Sequence, residues 1–276
     1  MKKIFKALVL DVDGTLINRS LEISPRVKKA ILKIKKKVSV SLCSGRTYDG
    51  YEKYVDQLGL TALQVGDAGA VIVDPKTDKI VYEKFIDSTV SQKIIGGLKN
   101  DLNWPFLVSI NKKYYFDVQQ RKKIEVAFGH KILPSHIQEM ERIDKLEVVH
   151  TPKITLMGIK SENDYNLIEK FLSPFVRDIH IVRSVTGFAG GGSADITEHS
   201  VTKLSGLKKL SELTGISLDE TIVVGDGYND FPLLMAGGLR VAMGNAVPDL
   251  KKIADYVTAS VDDDGVAEVI ENFLMK

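Results

Sequence analysis

Near each end of the chain a short apolar run stops at an Asp-Gly turn. Residues 7–10 lead into Asp11-Val12-Asp13-Gly14-Thr15-Leu16, and residues 221–224 lead into Gly225-Asp226-Gly227-Tyr228-Asn229-Asp230. A run of Leu, Val and Ile with no polar alternation is the pattern of a strand covered on both faces, as in a parallel sheet. Two such strands at opposite ends of one chain share a sheet only if the termini assemble together.

The segments around them keep a strand–helix alternation. Ser24-Pro25 supplies an N-cap followed by proline at the first helical position, opening a helix to about Lys36. Residues 38–42 read as a strand, and residues 47–58 as a helix ended by Gly59. A strand near Leu63-Gln64-Val65 leads into a hairpin, 70–73 and 80–82, turning at Asp74-Pro75. Towards the C-terminus, 201–213 is a helix closed by Gly215, 230–235 is helical, 239–242 is a strand and 266–274 is a closing helix. The chain is therefore expected to be α/β, with a Rossmann-like, doubly wound parallel sheet built from residues 1–84 and 187–276. Residues 85–186 carry strands of their own (114–118, 154–159) and a helix (162–172), and read as an α+β domain inserted into the first. The glycine-rich stretch 187–192 is expected to be the return linker, and no internal repeat or low-complexity segment is present.

Composition narrows the class of function. The 276 residues are 44% hydrophobic and 27% charged, which fits a globular domain and excludes disordered, collagen-like and coiled-coil chains. No apolar run approaches the ~18 residues needed to span a bilayer. The N-terminus starts like a signal peptide, but Asp11 and Asp13 interrupt its apolar stretch. Cys43 stands alone, so no intramolecular disulfide forms, and a cytoplasmic location is expected. The net charge of +2 is no footprint for nucleic acid. Arg26, Lys28, Lys29, Lys33, Lys35, Lys36 and Lys37 form one basic run, but Val27, Ala30, Ile31 and Ile34 recur among them at helical spacing. The lysines then make the wet face of an amphipathic helix, with binding of an acidic ligand as the alternative reading.

Four groups of residues carry chemistry. Asp11 and Asp13, two apart just past a strand end, reach the crevice where open α/β sheets bind ligands, and Gly14 permits a tight turn there. One carboxylate can act as nucleophile while the other handles protons. A calcium loop would need glycine at its sixth position, where Leu16 stands, so that reading fails. Asp226 and Asp230 follow a second apolar strand, and two further carboxylates beside the first pair call for a hard cation, with magnesium suiting an oxygen-only site. Ser44-Gly45-Arg46 closes another strand with a hydroxyl, a backbone amide and a guanidinium, a phosphate cradle. Arg46 follows Cys43 too closely for the thiolate loop of a cysteine phosphatase, so Cys43 reads as a buried strand residue. Lys203 opens a helix and alone would be a surface lysine. No P-loop string and no Gly-x-Ser-x-Gly elbow occur, His130, His136, His150, His180 and His199 lack metal-ligand spacing, and Trp104 reads as a packing residue.

Taken in this order, the four groups resemble the motifs of the haloacid dehalogenase (HAD) phosphohydrolase superfamily, closest to its Cof-type, class IIB sugar-phosphatase-like branch. Asp11-Val-Asp13-Gly-Thr-Leu is similar to the first motif, Ser44-Gly45-Arg46 to the second and Lys203 to the third. Gly225-Asp226-Gly-Tyr-Asn229-Asp230 is similar to the fourth, and Met243-Gly244-Asn245-Ala246 also follows the pattern. The resemblance covers both terminal segments and reaches the insert only through its size and position, as a cap of the C2B type.

It implies a phosphatase in which Asp11 attacks phosphorus and becomes an aspartyl-phosphate, while Asp13 protonates the leaving alkoxide and then activates water. Ser44, Gly45, Arg46, Lys203 and Asn229 would contact phosphate or substrate, and Asp11, Asp13 (through its carbonyl), Asp226 and Asp230 would hold Mg²⁺. The implied partner is a small phosphorylated metabolite, a sugar phosphate by preference, with neither nucleic acid nor membrane, in a monomer or small homo-oligomer. A phosphomutase and a non-catalytic ligand-binding protein are the alternatives. Two departures bear on substrate identity: Ala68-Gly69-Ala70 replaces the usual Asn-Gly-Ala, and His199 lies four residues before Lys203. Arg183, in the insert, is a further candidate for a substrate contact.

Overall fold

The computed structural model describes residues 4–129, 133–143, 150–188 and 191–275. In chain order the first segment carries β1 (Ala7–Leu10), α1 (Pro25–Ile34), β2 (Ser39–Leu42), α2 (Glu52–Leu58), β3 (Gln64–Gly66), β4 (Val71–Asp74) and β5 (Lys79–Glu83). Next come α3 (Ser88–Asn100), β6 (Phe106–Ile110), β7 (Lys113–Asp117), α4 (Arg121–Ala127), β8 (Ile137–Met140), β9 (Lys153–Ile159), α5 (Glu162–Leu172), β10 (Ile179–Phe188) and β11 (Gly191–Glu198). The last segment carries α6 (Lys203–Thr214), β12 (Thr221–Gly225), α7 (Phe231–Leu234), β13 (Leu239–Ala242), α8 (Pro248–Ile253), β14 (Tyr256–Val257) and α9 (Gly265–Phe273).

The chain divides into two compact units: Met1–Tyr82 with Thr202–Lys276, and Glu83–Val201. In the first, the apolar runs from the two ends become neighbours. The sheet order is β14-β13-β12-β1-β2, all parallel, and every residue of β1 and β12 is buried. A single parallel bridge, Cys43 to Val65, continues the sheet towards β3, which starts the antiparallel sheet β3-β4-β5. Helix α1 begins where the sequence puts it: Ser24 accepts a hydrogen bond from the Val27 amide, Pro25 follows, and Val27, Ala30, Ile31 and Ile34 are buried. The lysines 28, 29, 33, 36 and 37 face water.

The expected helix over 47–58 is broken. A 3₁₀ turn, Tyr48–Gly50, precedes α2, and Tyr51 between them has φ −133°. There Arg46 Nη1 donates to the Gly50 carbonyl at 3.1 Å, and the Tyr54 amide donates to the Tyr51 carbonyl three residues back.

The second unit is α+β, with a six-stranded sheet in the order β10-β11-β9-β6-β7-β8. Its pairs are antiparallel except β7 with β8. Ile94, Ile95 and Leu98 of α3 and Ile168 and Leu172 of α5 pack on Phe106, Val108, Ile154 and Leu156. On the opposite face, Ile124 and Ala127 of α4 meet Leu107, Tyr114, Phe116 and Met157. Trp104 packs against the first of these clusters, its Nε1 donating to the Met157 carbonyl at 2.9 Å. Glycines 187–192 do not form the return linker. Gly187 ends in β10 and Gly191 opens β11, which pairs with β9 and β10 as far as Glu198, so the chain stays in this sheet until the boundary at Val201. Residues 189–190 of that stretch, and His130, lie outside the described residues. Among the described residues no helix is long and apolar enough to cross a membrane.

Candidate active site

Parallel register brings the two Asp-Gly turns to one edge. Leu10 lies opposite Val224 on one side and Leu42 on the other, so Asp11, Ser44 and Asp226 all emerge past the same ends of β1, β2 and β12. The chain progresses outward through β2 on one side of β1 and through β13 and β14 on the other. The crevice between β1 and β12 is thus the topological switch point of the sheet, where open α/β folds bind ligands.

The Asp11 carboxylate is buried, and its Oδ1 accepts a hydrogen bond from Lys203 Nζ. Lys203 is placed there by the start of α6, where Thr202 caps the helix and Ser205 returns a bond to the Thr202 amide. The same ammonium donates to Asp230 Oδ1 at 2.6 Å. The other oxygen of Asp230 accepts the amides of Asp226 and Gly227 at 2.9 and 3.0 Å, closing the turn after β12. Lys203 therefore links the nucleophile candidate on one strand to the acidic turn on the next.

Asp226 is held from two sides. Thr15 Oγ1 donates to its Oδ1 at 3.3 Å, and Asn245 Nδ2 donates to its Oδ2 at 3.3 Å and to the Gly14 carbonyl at 2.8 Å. The Val261 amide in turn donates to Asn245 Oδ1 at 2.8 Å. Gly14 sits at φ +79°, and a Cβ at that position would run into the Asp226 carboxylate. Sequence reasoning singled out neither Thr15 nor Asn245 as a site residue. Their signals were the Thr of Asp-Gly-Thr and the Asn of Met-Gly-Asn-Ala.

The electrostatics follow from crowding. Burial, first, and then the charge of Asp230 push the Asp11 carboxyl well above the usual carboxylate range, against the pull of Lys203. The same two causes push Asp226 up to about 7. Burial lowers Lys203, but Asp11 and Asp230 outweigh it and hold the ammonium protonated. Cys43, buried nearby, is pushed up to about 12 by burial and stays a thiol. One ammonium among three carboxylates leaves uncompensated negative charge, which a divalent cation would neutralise. The donor set fits one: Asp11, Asp226 and Asp230 each offer an oxygen, and these atoms lie within 4.8 Å of one another.

Asp13 does not join this cluster with its side chain. Arg46 turns that carboxylate away, Nε donating to Oδ2 at 2.8 Å and Nη2 to Oδ1, which leaves only the backbone carbonyl for a metal. Arg46, expected on the substrate, has its guanidinium bonded to Asp13 and to the Gly50 carbonyl. Ser44 is buried, its amide bonded to the Val65 carbonyl at 3.0 Å and its Oγ accepting the Arg46 amide at 3.1 Å, with Gly45 between them. That bond uses the hydroxyl as acceptor and leaves its proton to donate. Asn229 is exposed on the turn after β12. His199 is exposed in the second unit, its amide bonded to the Asp178 carbonyl at 3.0 Å. Arg183, also in the second unit, pairs with Glu162 and Glu169 and stacks on Tyr165.

The family profile described as haloacid dehalogenase-like hydrolase matches residues 8–270. The chain is 28% identical over 276 residues to the stress response protein YhaX of Bacillus subtilis, covering 96% of this chain and 92% of the relative. It is 26% identical over 296 residues to the 5-amino-6-(5-phospho-D-ribitylamino)uracil phosphatase YwtE of the same organism, covering 98% of each. A crystal structure of a haloacid dehalogenase-like hydrolase from Bacteroides thetaiotaomicron superposes with a TM-score of 0.81 at 25% identity, covering 97% of this chain and 99% of that one. A carboxylate–lysine–carboxylate arrangement at the switch point of a parallel sheet and a profile match along almost the whole sequence lead to one assignment: the chain belongs to the haloacid dehalogenase-like hydrolases.

Proposed function

We propose that this hydrolase is a magnesium-dependent phosphatase, a phosphoric monoester hydrolase acting on small phosphorylated metabolites, sugar phosphates by preference. The observation that carries the reading is the Lys203 ammonium shared between Asp11 and Asp230 at the crevice between β1 and β12. Phosphoryl transfer needs little more than in-line positioning and neutralised charge, which this cluster would supply together with a bound cation. The relative YwtE is named for a phosphoribityl compound, which supports a polyhydroxylated alkyl phosphate as substrate.

In this reading a carboxylate oxygen of Asp11 attacks phosphorus, and the ester oxygen leaves with a proton from Asp13. Asp13 then takes a proton from water as that water attacks the aspartyl-phosphate, releasing phosphate and restoring Asp11. Lys203 and the Ser44 hydroxyl hold phosphoryl oxygens, with the Gly45 backbone beside them. Asp11, Asp226, Asp230 and the Asp13 carbonyl would hold Mg²⁺, which supplies charge neutralisation at the carboxylates and the phosphoryl group. The inserted unit, expected over 85–186 and running from Glu83 to Val201 in the structure, is proposed as the cap that excludes water until the alcohol has left.

The test is phosphate release from a panel of sugar, nucleotide and small-acid phosphates, with and without Mg²⁺, beside Asp11→Asn. Magnesium-dependent release that disappears in the variant supports the reading. Conversion of a hexose phosphate to its isomer without free phosphate would replace it with a phosphomutase.

A further inference from the structure

The end of the sheet away from the catalytic carboxylates carries a second concave feature. Where the chain leaves α1 and enters β2, a cleft of about 260 Å³ is walled by Lys35, Lys36, Lys37 and Lys76, with Val40 and Leu60 among its apolar residues. Ser39 and Thr61 add hydroxyls, and no carboxylate lines it. Lys35 is fixed in the wall by the last carbonyls of α2, donating to Leu58 and Gly59 at 2.8 Å each. Lys36, Lys37 and Lys76 are exposed, and none of them has a carboxylate partner among the described residues. Elsewhere in the same unit lysines do pair, Lys209 with Glu212 and Lys252 with Asp249.

Three uncompensated ammonium groups around one concavity focus positive potential into it and attract anions. The volume is small for a drug-sized ligand and far too small for a polymer. A phosphate group carries a charge of about −1.5 to −2 at neutral pH, so about two of them match three ammonium groups. We propose that this cleft binds a small metabolite carrying two or more phosphate groups, at a site separate from the catalytic one. Ser39 opens β2 and Ser44 lies two residues past its end at Leu42, so the strand itself lies between the two sites. The basic run that reads from sequence as a wet helical face is then divided. Lys28, Lys29 and Lys33 remain solvated, and Lys36 and Lys37 serve the cleft.

Calorimetric titration of the full chain with inorganic tripolyphosphate, without Mg²⁺, tests this. Three proteins are compared: wild type, Lys36→Gln/Lys37→Gln/Lys76→Gln, and Lys28→Gln/Lys29→Gln/Lys33→Gln, which removes the same charge outside the cleft. The cleft variant is expected to lose one site, or about tenfold or more in affinity, while the control matches wild type. Phosphate-ester hydrolysis should be unchanged in both. An isotherm unaltered in the cleft variant overturns the proposal, as does equal weakening in both variants, which would make the attraction one of net charge alone. In the wild-type chain, tripolyphosphate should protect Lys36, Lys37 and Lys76 from chemical acetylation, read by mass spectrometry, and leave Lys28, Lys29 and Lys33 reactive. Uniform reactivity would count equally against it.

Discussion

Arg46 grips Asp13 with two guanidinium nitrogens, Nε reaching Oδ2 at 2.8 Å and Nη2 reaching Oδ1, and turns this carboxylate out of the acidic cluster around Asp11. A planar fork of this kind fixes orientation as well as charge, and lysine cannot reproduce it. We propose that Arg46 positions the proposed acid–base group, a role different from the substrate contact expected from the sequence.

The two roles separate by leaving group. If Arg46 orients Asp13, Arg46→Lys lowers kcat on alkyl phosphates by about 10- to 100-fold, a share of what general acid catalysis contributes. The kcat/KM for p-nitrophenyl phosphate, whose leaving group needs no proton, stays within about threefold of wild type, because it covers only the steps up to release of the alcohol and not the shared hydrolysis of the aspartyl-phosphate. Steady-state kinetics on both esters decides it. An equal rise in KM for the two would return Arg46 to the phosphate.

Gly14 is a position where a methyl group should abolish function. Its φ of +79° is a left-handed conformation that costs an L-residue about 1–2 kcal/mol. The added Cβ would also displace the Asp226 carboxylate. Gly14→Ala should leave a folded protein with a slightly lower Tm and activity reduced by about 100-fold or more, measured as kcat/KM at saturating Mg²⁺. Full activity in a folded variant would mean that Asp226 need not sit where it does.

Asn245 holds Asp226 and the Gly14 carbonyl together and is itself held by the Val261 amide. Partners that orient a metal-binding carboxylate typically contribute 10–100-fold in metal affinity. Asn245→Ala should therefore raise the Mg²⁺ concentration for half-maximal activity by about that factor, with kcat at saturating Mg²⁺ nearly retained. A matching Mg²⁺ titration of Tm gives the same constant without catalysis. No change in either titration would remove Asn245 from the site.

What was legible in the sequence, and what was not, follows from the range of the interactions. Asp11 and Asp226 could be read because each ends an apolar run, and the register of β1 with β12 turns that local pattern into proximity. Ser24 with Pro25 at the head of α1 is equally local. Asn245 and Thr15 matter only because the sheet carries them to Asp226, and no spacing in the chain encodes that. The break at Tyr51 was hidden because the helical pattern continues through it, and the φ of −133° there leaves no mark in the spacing of the residues. The glycines of 187–192 looked like a linker because glycine marks turns and linkers alike, and only the pairing of β11 with β9 tells them apart.

The crowded carboxylates set a pH dependence with a definite sign. Burial and the Asp230 charge raise Asp226 from 3.8 to about 7, and Asp11 is raised in the same direction. A raised carboxyl means that the folded state keeps a proton which the unfolded state has already released. The stability this contributes is complete below 3.8 and is lost as pH climbs through about 7. In EDTA, then, Tm should fall as pH rises from about 5 to 8. Mg²⁺ binds the deprotonated carboxylates, so its stabilising effect should be small at about pH 5 and grow with pH as competition from protons ends. Thermal unfolding in EDTA and in Mg²⁺ across this range measures both trends together. A Mg²⁺ increment in Tm that is the same at every pH would show that the cation does not displace protons from Asp11 and Asp226, and would place its site elsewhere.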